Sequence, residues 1–171
     1  HAAQPSRVAF AIARLDLARW LNRTDRPSDI TGDTTFDLRF LQGSSFPQGT
    51  WAFDGTHAAF LEYETGELQA QGSVSPTGVL IDSGTTTAYG SNLRLTSGSI
   101  GFESPFPFTF AGRTNGLDLR LLPAQVPVPK VETLLTLDFD VRGQFVDAFM
   151  DGRARFDESR FLDGTIGAGA V

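Results

Sequence analysis

The sequence predicts a nearly all-β protein, its strands joined by hairpins into an antiparallel meander. Three observations carry that reading. Apolar residues recur at every second position along most of the chain, the period of a half-buried strand. The alternating segments are separated by short turn signals, too brief for the crossover helices that parallel strands need. Eighteen Gly and fifteen Phe among 171 residues suit a sheet with many turns better than a helical bundle.

In chain order, Val8, Phe10 and Ile12 share one phase of the first segment. Residues 17–22 have helical spacing. Phe36, Leu38 and Phe40 then alternate with Thr35, Asp37 and Arg39. Shorter alternating stretches follow at 51–53, 59–63, 68–74 and 79–81. Leu93 and Leu95 mark the next strand, and Phe106, Phe108 and Phe110 the one after it. A turn of helix near 119–122 is stopped by Pro123, and Pro123, Pro127 and Pro129 make a stiff connector. Leu135, Leu137, Phe139 and Val141 share one face while Thr136, Asp138, Asp140 and Arg142 occupy the other. Residues 154–156 close the series, for a total of about a dozen strands. Asp54-Gly55, Thr65-Gly66, Pro76-Thr77-Gly78, Ser83-Gly84, Ser97-Gly98 and Asn115-Gly116 are read as the turns between them.

Length and charge narrow the function. A chain of 171 residues is one domain by size and needs no disulfide or metal to fold. Cysteine is absent, so thiolate metal sites, thiol catalysis and disulfides are excluded. Fourteen basic against twenty acidic residues leave a net charge of −6, the wrong sign for a nucleic-acid partner. No apolar run approaches the ~20 residues of a spanning helix.

An internal echo organises the chain. Leu15-Asp16-Leu17 recurs as Leu117-Asp118-Leu119, and Phe53-Asp54 recurs as Phe156-Asp157, at offsets of 102 and 103. Each copy holds a Pro-bearing connector and then an alternating strand, Phe36-Asp37-Leu38 or Leu137-Asp138-Phe139. The echo describes a single repeat-built segment, residues 1–171, of a longer protein. Its copies cover about 15–116 and 117–171, the second truncated.

Catalytic constellations are sparse. His1 and His57 are the only histidines, and His57 reads as a polar residue at a turn rather than a base or ligand. Glu62/Glu64 and Asp138/Asp140 lie two apart on strand faces, a spacing a glycosidase could use, but their alternation with apolar residues marks solvent-facing positions. Asp138-Phe139-Asp140 is too thin in oxygen ligands for a calcium loop. Gly98-Ser99-Ile100-Gly101 is read as a turn, with no helix or Lys behind it to cradle phosphate. No catalytic residue, metal or cofactor is expected.

What stands out is the set of Phe-rich faces. Phe36, Phe40, Phe102, Phe106, Phe108, Phe110, Phe139 and Phe145 lie on segments whose alternate positions are polar. A sandwich core would use that pattern, and so would an open sheet curled around an apolar groove. Two prolines, Pro105 and Pro107, favour an edge strand or the rim of a groove for the segment holding Phe106 and Phe108.

Three passages resemble a known family. They are Leu15-Asp16-Leu17 with Ser28-Asp29-Ile30-Thr31-Gly32; residues 87–112, with Gly98-Ser99-Ile100; and Leu117-Asp118-Leu119 through Gly143 to the run 153–161. Together they are similar to the repeating β region of the TamB family (translocation and assembly module subunit), within the AsmA-like superfamily. The resemblance spans about residue 8 to the end, without the anchoring N-terminal helix or the C-terminal region of such proteins.

It implies an elongated, curled antiparallel sheet, taco-like in section, so that residues 1–171 form a single β-groove segment with an apolar interior. Its role would be non-enzymatic: phospholipid transfer between the inner and outer membranes, or outer-membrane assembly. The groove residues would be Phe36, Leu38, Phe40, Phe102, Phe106, Phe108, Phe110, Leu135, Leu137, Phe139 and Val141. Phospholipid acyl chains are the implied partners, with an outer-membrane assembly barrel reached through regions absent from this sequence. The implied location is the periplasm, the parent protein being anchored in the inner membrane. Strands of about seven residues, a dozen of them at ~4.7 Å, would give a trough roughly 55 Å long. The competing reading is a β-sandwich or β-solenoid surface module of the adhesin or carbohydrate-binding kind, with a closed dry core and sugar stacked on Trp20 or Trp51. An enzyme using Glu62 and Glu64 is a third reading.

Overall fold

The computed structural model describes residues 6–16, 28–41, 46–60, 63–124, 128–144, 149–156, 159–161 and 164–170. Among them run β1 (Ser6–Leu15), β2 (Ser28–Arg39), β3 (Gln48–Phe60), β4 (Tyr63–Thr65), β5 (Leu68–Ser75), β6 (Gly78–Ala88) and β7 (Ser91–Gly101). They continue with β8 (Pro107–Leu117), β9 (Thr133–Gln144), β10 (Phe149–Phe156), β11 (Ser159–Phe161), β12 (Gly164–Ile166) and β13 (Gly169–Ala170). The helical turn expected before Pro123 is a single 3-10 turn, Leu119–Leu121. The expected helix at 17–22 lies outside the described residues.

All the strands belong to one antiparallel sheet. Its path is β1-β2-β3-β5-β6-β7-β8-β9-β10-β13, with the short β4 on β3, β11 on β9 and β12 on β11. From β1 to β10, the short β4 apart, neighbours in sequence are neighbours in space, as expected of an antiparallel meander. The β6–β7 hairpin shows the local cause. Tyr89 and Gly90 both have positive φ, 50° and 74°, the pair of left-handed residues a two-residue hairpin turn requires. Ser91 Oγ then donates to the Ala88 carbonyl at 2.7 Å and locks the turn.

Four of the expected turns are not turns. Asp54-Gly55, Ser83-Gly84, Ser97-Gly98 and Asn115-Gly116 lie inside β3, β6, β7 and β8. They sit at or beside breaks in register, between Thr31 and Gly32, Gln71 and Gly72, Leu95 and Ser97, and Thr114 and Leu117. A β-bulge takes up an extra residue there, bends the strand and sharpens its twist, so the glycine that would end a strand instead kinks one. The long strands are therefore eight to thirteen residues rather than seven. Gly98-Ser99-Ile100-Gly101 is likewise strand, not turn. The edge position read from the prolines also fails: β8 pairs with both β7 and β9. Pro107 opens the strand, where a missing N–H is tolerated, and Pro105 lies in the preceding turn.

The sheet is open and curled. Its path ends at β1 on one side and β13 on the other. Phe46 precedes β3 and Phe102 follows β7, yet their rings are 5.7 Å apart. A flat sheet would hold those strands about 14 Å apart, three spacings of ~4.8 Å. Among the described residues no large side chain is fully buried. The described residues form one layer, without the closed, dry core of a sandwich.

Two stretches of the sheet match in detail. Arg14 and Gly116, 102 residues apart, both have positive φ, 52° and 78°, and each directly precedes a Leu-Asp-Leu sequence. The β1–β2 ladder breaks between Ile12 and Leu15, and the β8–β9 ladder between Thr114 and Leu117. Ser28 Oγ returns a hydrogen bond to the Leu15 carbonyl at 3.5 Å, and Thr133 Oγ1 to the Leu117 carbonyl at 3.3 Å. Thr34 pairs with Phe53 and Leu137 with Phe156, both members displaced by 103. After β10 the two diverge, because β11 returns to β9 whereas β5 lies on β3.

Candidate functional site

Paired residues of an antiparallel ladder share a face, so register alone assigns every strand position. The row Val8, Phe36, Trp51, Gly72, Ile81 and Gly98 continues through Phe110 and Val141 to Gly152. The next row begins Phe10, Thr34, Phe53, Ala70, Gly84 and Leu95, then passes Gly112 and Phe139. A third runs from Leu38 through Val74, Val79 and Ile100 to Phe108. All three lie on one face, and across nine strands they contain no charged residue.

That face is covered from within. Phe10 stacks on Phe36 with ring centres 5.8 Å apart, and Phe108 meets Phe110 at 5.6 Å. The Trp51 indole Nε1–H donates to the carbonyls of Ser73 and Leu80, both at 3.3 Å, reaching across β5 to β6. Thr34, Thr86 and Thr114 are buried on the same face even though no second layer lies over them. Phe110 lies over Gly98 and Phe139 over Gly112, while Val8 and Phe10 at the β1 edge stay exposed.

Of the eleven residues expected to line a groove, eight fall on this face within strands: Phe36, Leu38, Phe108, Phe110, Leu135, Leu137, Phe139 and Val141. The other three do not. Phe40 follows β2, Phe102 follows β7, and Phe106 precedes β8, all at one rim and all exposed. Phe145 lies outside the described residues.

The opposite face is polar. Its central row is Ala11, Asp33, Asp54, Gln69, Thr85 and Arg94, continuing to Arg113, Asp138 and Arg155. A cavity of about 600 Å³ opens there, lined by Asp33, Asp54, Gln69, Gln71, Thr85 and Arg94 among others. Sequence reading missed it, since no motif links residues so distant; only the strand order aligns them. Its lining mixes these charged and polar groups with apolar surface from Ala52, Phe53 and Ala70, unlike the uncharged rows of the other face.

The remaining candidates separate. Asp138 is engaged by Arg113, whose Nη1 lies 3.1 and 2.9 Å from its two carboxylate oxygens. His57 pairs with Thr31 inside β3, on the polar face, rather than at a turn. Glu64 sits on β4 and its backbone N–H donates to Tyr89 Oη at 3.0 Å. Glu62, Trp20 and His1 lie outside the described residues. Among the described residues no three His, Asp or Glu are grouped to hold a metal, and no helix is long and apolar enough to cross a membrane.

At the rim away from Phe40 and Phe102, Asp118 caps the 3-10 turn. Its carboxylate accepts from Arg120 N at 2.9 Å, from Nε at 3.1 Å and from Nη2 at 2.6 Å. The Arg120 guanidinium holds the Asp118 carboxyl below the usual aspartate range, and Asp118 in turn raises Arg120. Comparison of the chain with family models, with curated proteins and with solved structures finds no match.

Proposed function

We propose that the uncharged apolar face is a trough for phospholipid acyl chains, in a non-enzymatic segment that passes lipid between membranes or serves outer-membrane assembly. One observation supports this above the rest. Eight strands from β1 to β9 and the backbone of β10 present one continuous apolar surface with no second layer over it. A protein normally hides such a surface, and one left open calls for a ligand. The resemblance to the TamB and AsmA-like repeat region points the same way and adds the periplasm as the setting.

The energetics suit a conduit. Each methylene moved from water to the trough gains about 0.8 kcal/mol, so a whole acyl chain is held by roughly 10 kcal/mol before ordering costs. Rows of similar apolar residues bind the chain alike at successive registers, so affinity does not oppose sliding.

The test is lipid carried by the purified protein. Phe108→Asp places a charge against the acyl chain, costing several kcal/mol if it stays ionised and dry. Copurified or photo-crosslinked lipid should fall sharply while circular dichroism stays β-like. Full lipid loading in a folded Phe108→Asp protein would overturn the reading for this strand.

A further inference from the structure

Of the exposed large apolar side chains among the described residues, five gather in one place; Val8, Phe10, Leu80, Leu121 and Leu134 lie elsewhere. Phe40, Leu41, Phe46, Phe102 and Phe106 are 39% to 54% exposed, and all stand at one rim of the sheet, where β2 and β7 end and β3 and β8 begin. The connections 40–47 and 102–106 hold one charged residue between them, Glu103. The opposite rim carries Asp16, Asp29, Glu64, Glu67, Asp118 and Glu132 beside Arg14, Arg120 and Lys130, so its exposed Leu121 and Leu134 stand among charges. Contact between the Phe46 and Phe102 rings, 5.7 Å apart, joins side chains before β3 and after β7 into one ridge.

Phe106 adds a second observation. Its φ is +54°, a conformation that costs a bulky residue energy and that glycine adopts freely. Strain of this kind persists where the side chain has a use. The Phe106 ring is 40% exposed.

We infer that this ridge seats in the apolar boundary of a lipid bilayer, with a zwitterionic lipid surface as its partner. Apolar aromatic tips projecting from turns insert at the boundary between headgroups and acyl chains. An anionic surface would require clustered Lys or Arg, and these connections have none. A net charge of −6 opposes such a surface as well. The row of the apolar face nearest this rim, Leu38, Val74, Val79, Ile100 and Phe108, runs onto the ridge. An acyl chain could therefore pass from bilayer to trough without crossing a charged residue. The inference rests on the trough reading and gives it an entrance.

Flotation of the whole chain on phosphatidylcholine vesicles tests it, with uptake of a fluorescent fatty acid in solution measured in parallel. The protein should float, and raising salt should change little, because no charge pairing is involved. Phe46→Ser/Phe102→Ser/Phe106→Ser should lower the bound fraction at least tenfold while fatty-acid uptake and the β-sheet spectrum stay unchanged. Should the triple variant misfold, Phe106→Gly suits the left-handed backbone and should still lower vesicle binding severalfold. A wild-type chain that takes up fatty acid but ignores the vesicles overturns the ridge and leaves the trough standing. Failure of fatty-acid uptake sinks the trough instead. A dimer that the triple variant dissociates, with no flotation, overturns the inference in favour of a protein interface.

Discussion

The ring of Phe110 lies over Gly98, its Cδ1 2.9 Å from where a β-carbon on residue 98 would stand. The two are directly opposed on β8 and β7, and Ile81 closes the other side with Cδ1 at 3.2 Å. Large and small residues thus alternate across strands, which lets a single layer shield part of its own apolar face. Gly98→Ala should cost about 1–3 kcal/mol, the usual penalty of overpacking. Phe110→Leu should recover part of that cost, giving a coupling of at least ~0.5 kcal/mol in a double-mutant cycle. Urea midpoints of the four proteins measure it, and strict additivity would refute the contact.

Arg14 and Gly116 occupy the same left-handed backbone position in the two matching ladders, so the same substitution logic has opposite signs there. Gly116→Ala forces a β-carbon into that conformation and should lose about 1–2 kcal/mol. Arg14→Gly relieves the strain but adds chain entropy, about 0.5–1 kcal/mol, in the unfolded state. It also gives up an exposed ion pair to Asp29 at 3.5 Å, worth little. Arg14→Gly should therefore leave thermal stability nearly unchanged. A large loss from Arg14→Gly, with none from Gly116→Ala, would mean that the bulges are not equivalent.

Asp118 predicts a response to acid. Hydrogen bonds from Arg120, with its charge, lower the folded pKa below the value of about 3.9 expected in the unfolded chain. The sign follows: the stabilisation is present above that unfolded value and is lost as pH falls through the folded one. Arg120, raised by the same pair, stays charged across this window and adds no slope there. Asp118→Asn should flatten the decline in melting temperature below about pH 4 while changing its slope little near neutrality. Identical acid limbs in the two proteins would remove Asp118 from the account.

Period two made the faces legible from the sequence. Phe36, Leu137 and Phe139 needed only the alternation to be placed together, because a slip of one residue would expose all of them. Strand length was not legible. The pairs Ser83-Gly84 and Ser97-Gly98 carry the local chemistry of turns, and only cross-strand pairing decides that the chain continues through a bulge. Phe40, Phe102 and Phe106 keep the right phase but lie past strand ends, where phase no longer fixes a face. The polar hollow around Asp33, Asp54 and Arg94 depends wholly on strand order, which no local pattern encodes.

Asp138 and Phe139 are adjacent in β9 and face opposite ways, so they make a paired test of which face holds lipid. Asp138 meets Arg113 at 2.9 Å, with the two side chains 55% and 40% exposed, a pair worth under about 1 kcal/mol. Asp138→Asn should leave both stability and bound lipid nearly unchanged. Phe139 is half-buried on the apolar face, its Cζ 2.7 Å from where a β-carbon on Gly112 would stand. Phe139→Asp should cost stability up to about 2 kcal/mol for the lost ring, since full burial of such a side chain is worth 1.5–3. It should also remove most of the extractable lipid, because the new carboxylate faces the acyl chain without a cation opposite it: its register partners Gly112 and Ala154 carry no charge. Mass spectrometry of solvent-extracted protein gives the lipid content, and urea melts give the stability. Equal lipid loss in the two variants would show that the binding surface does not follow the apolar phase of the strand.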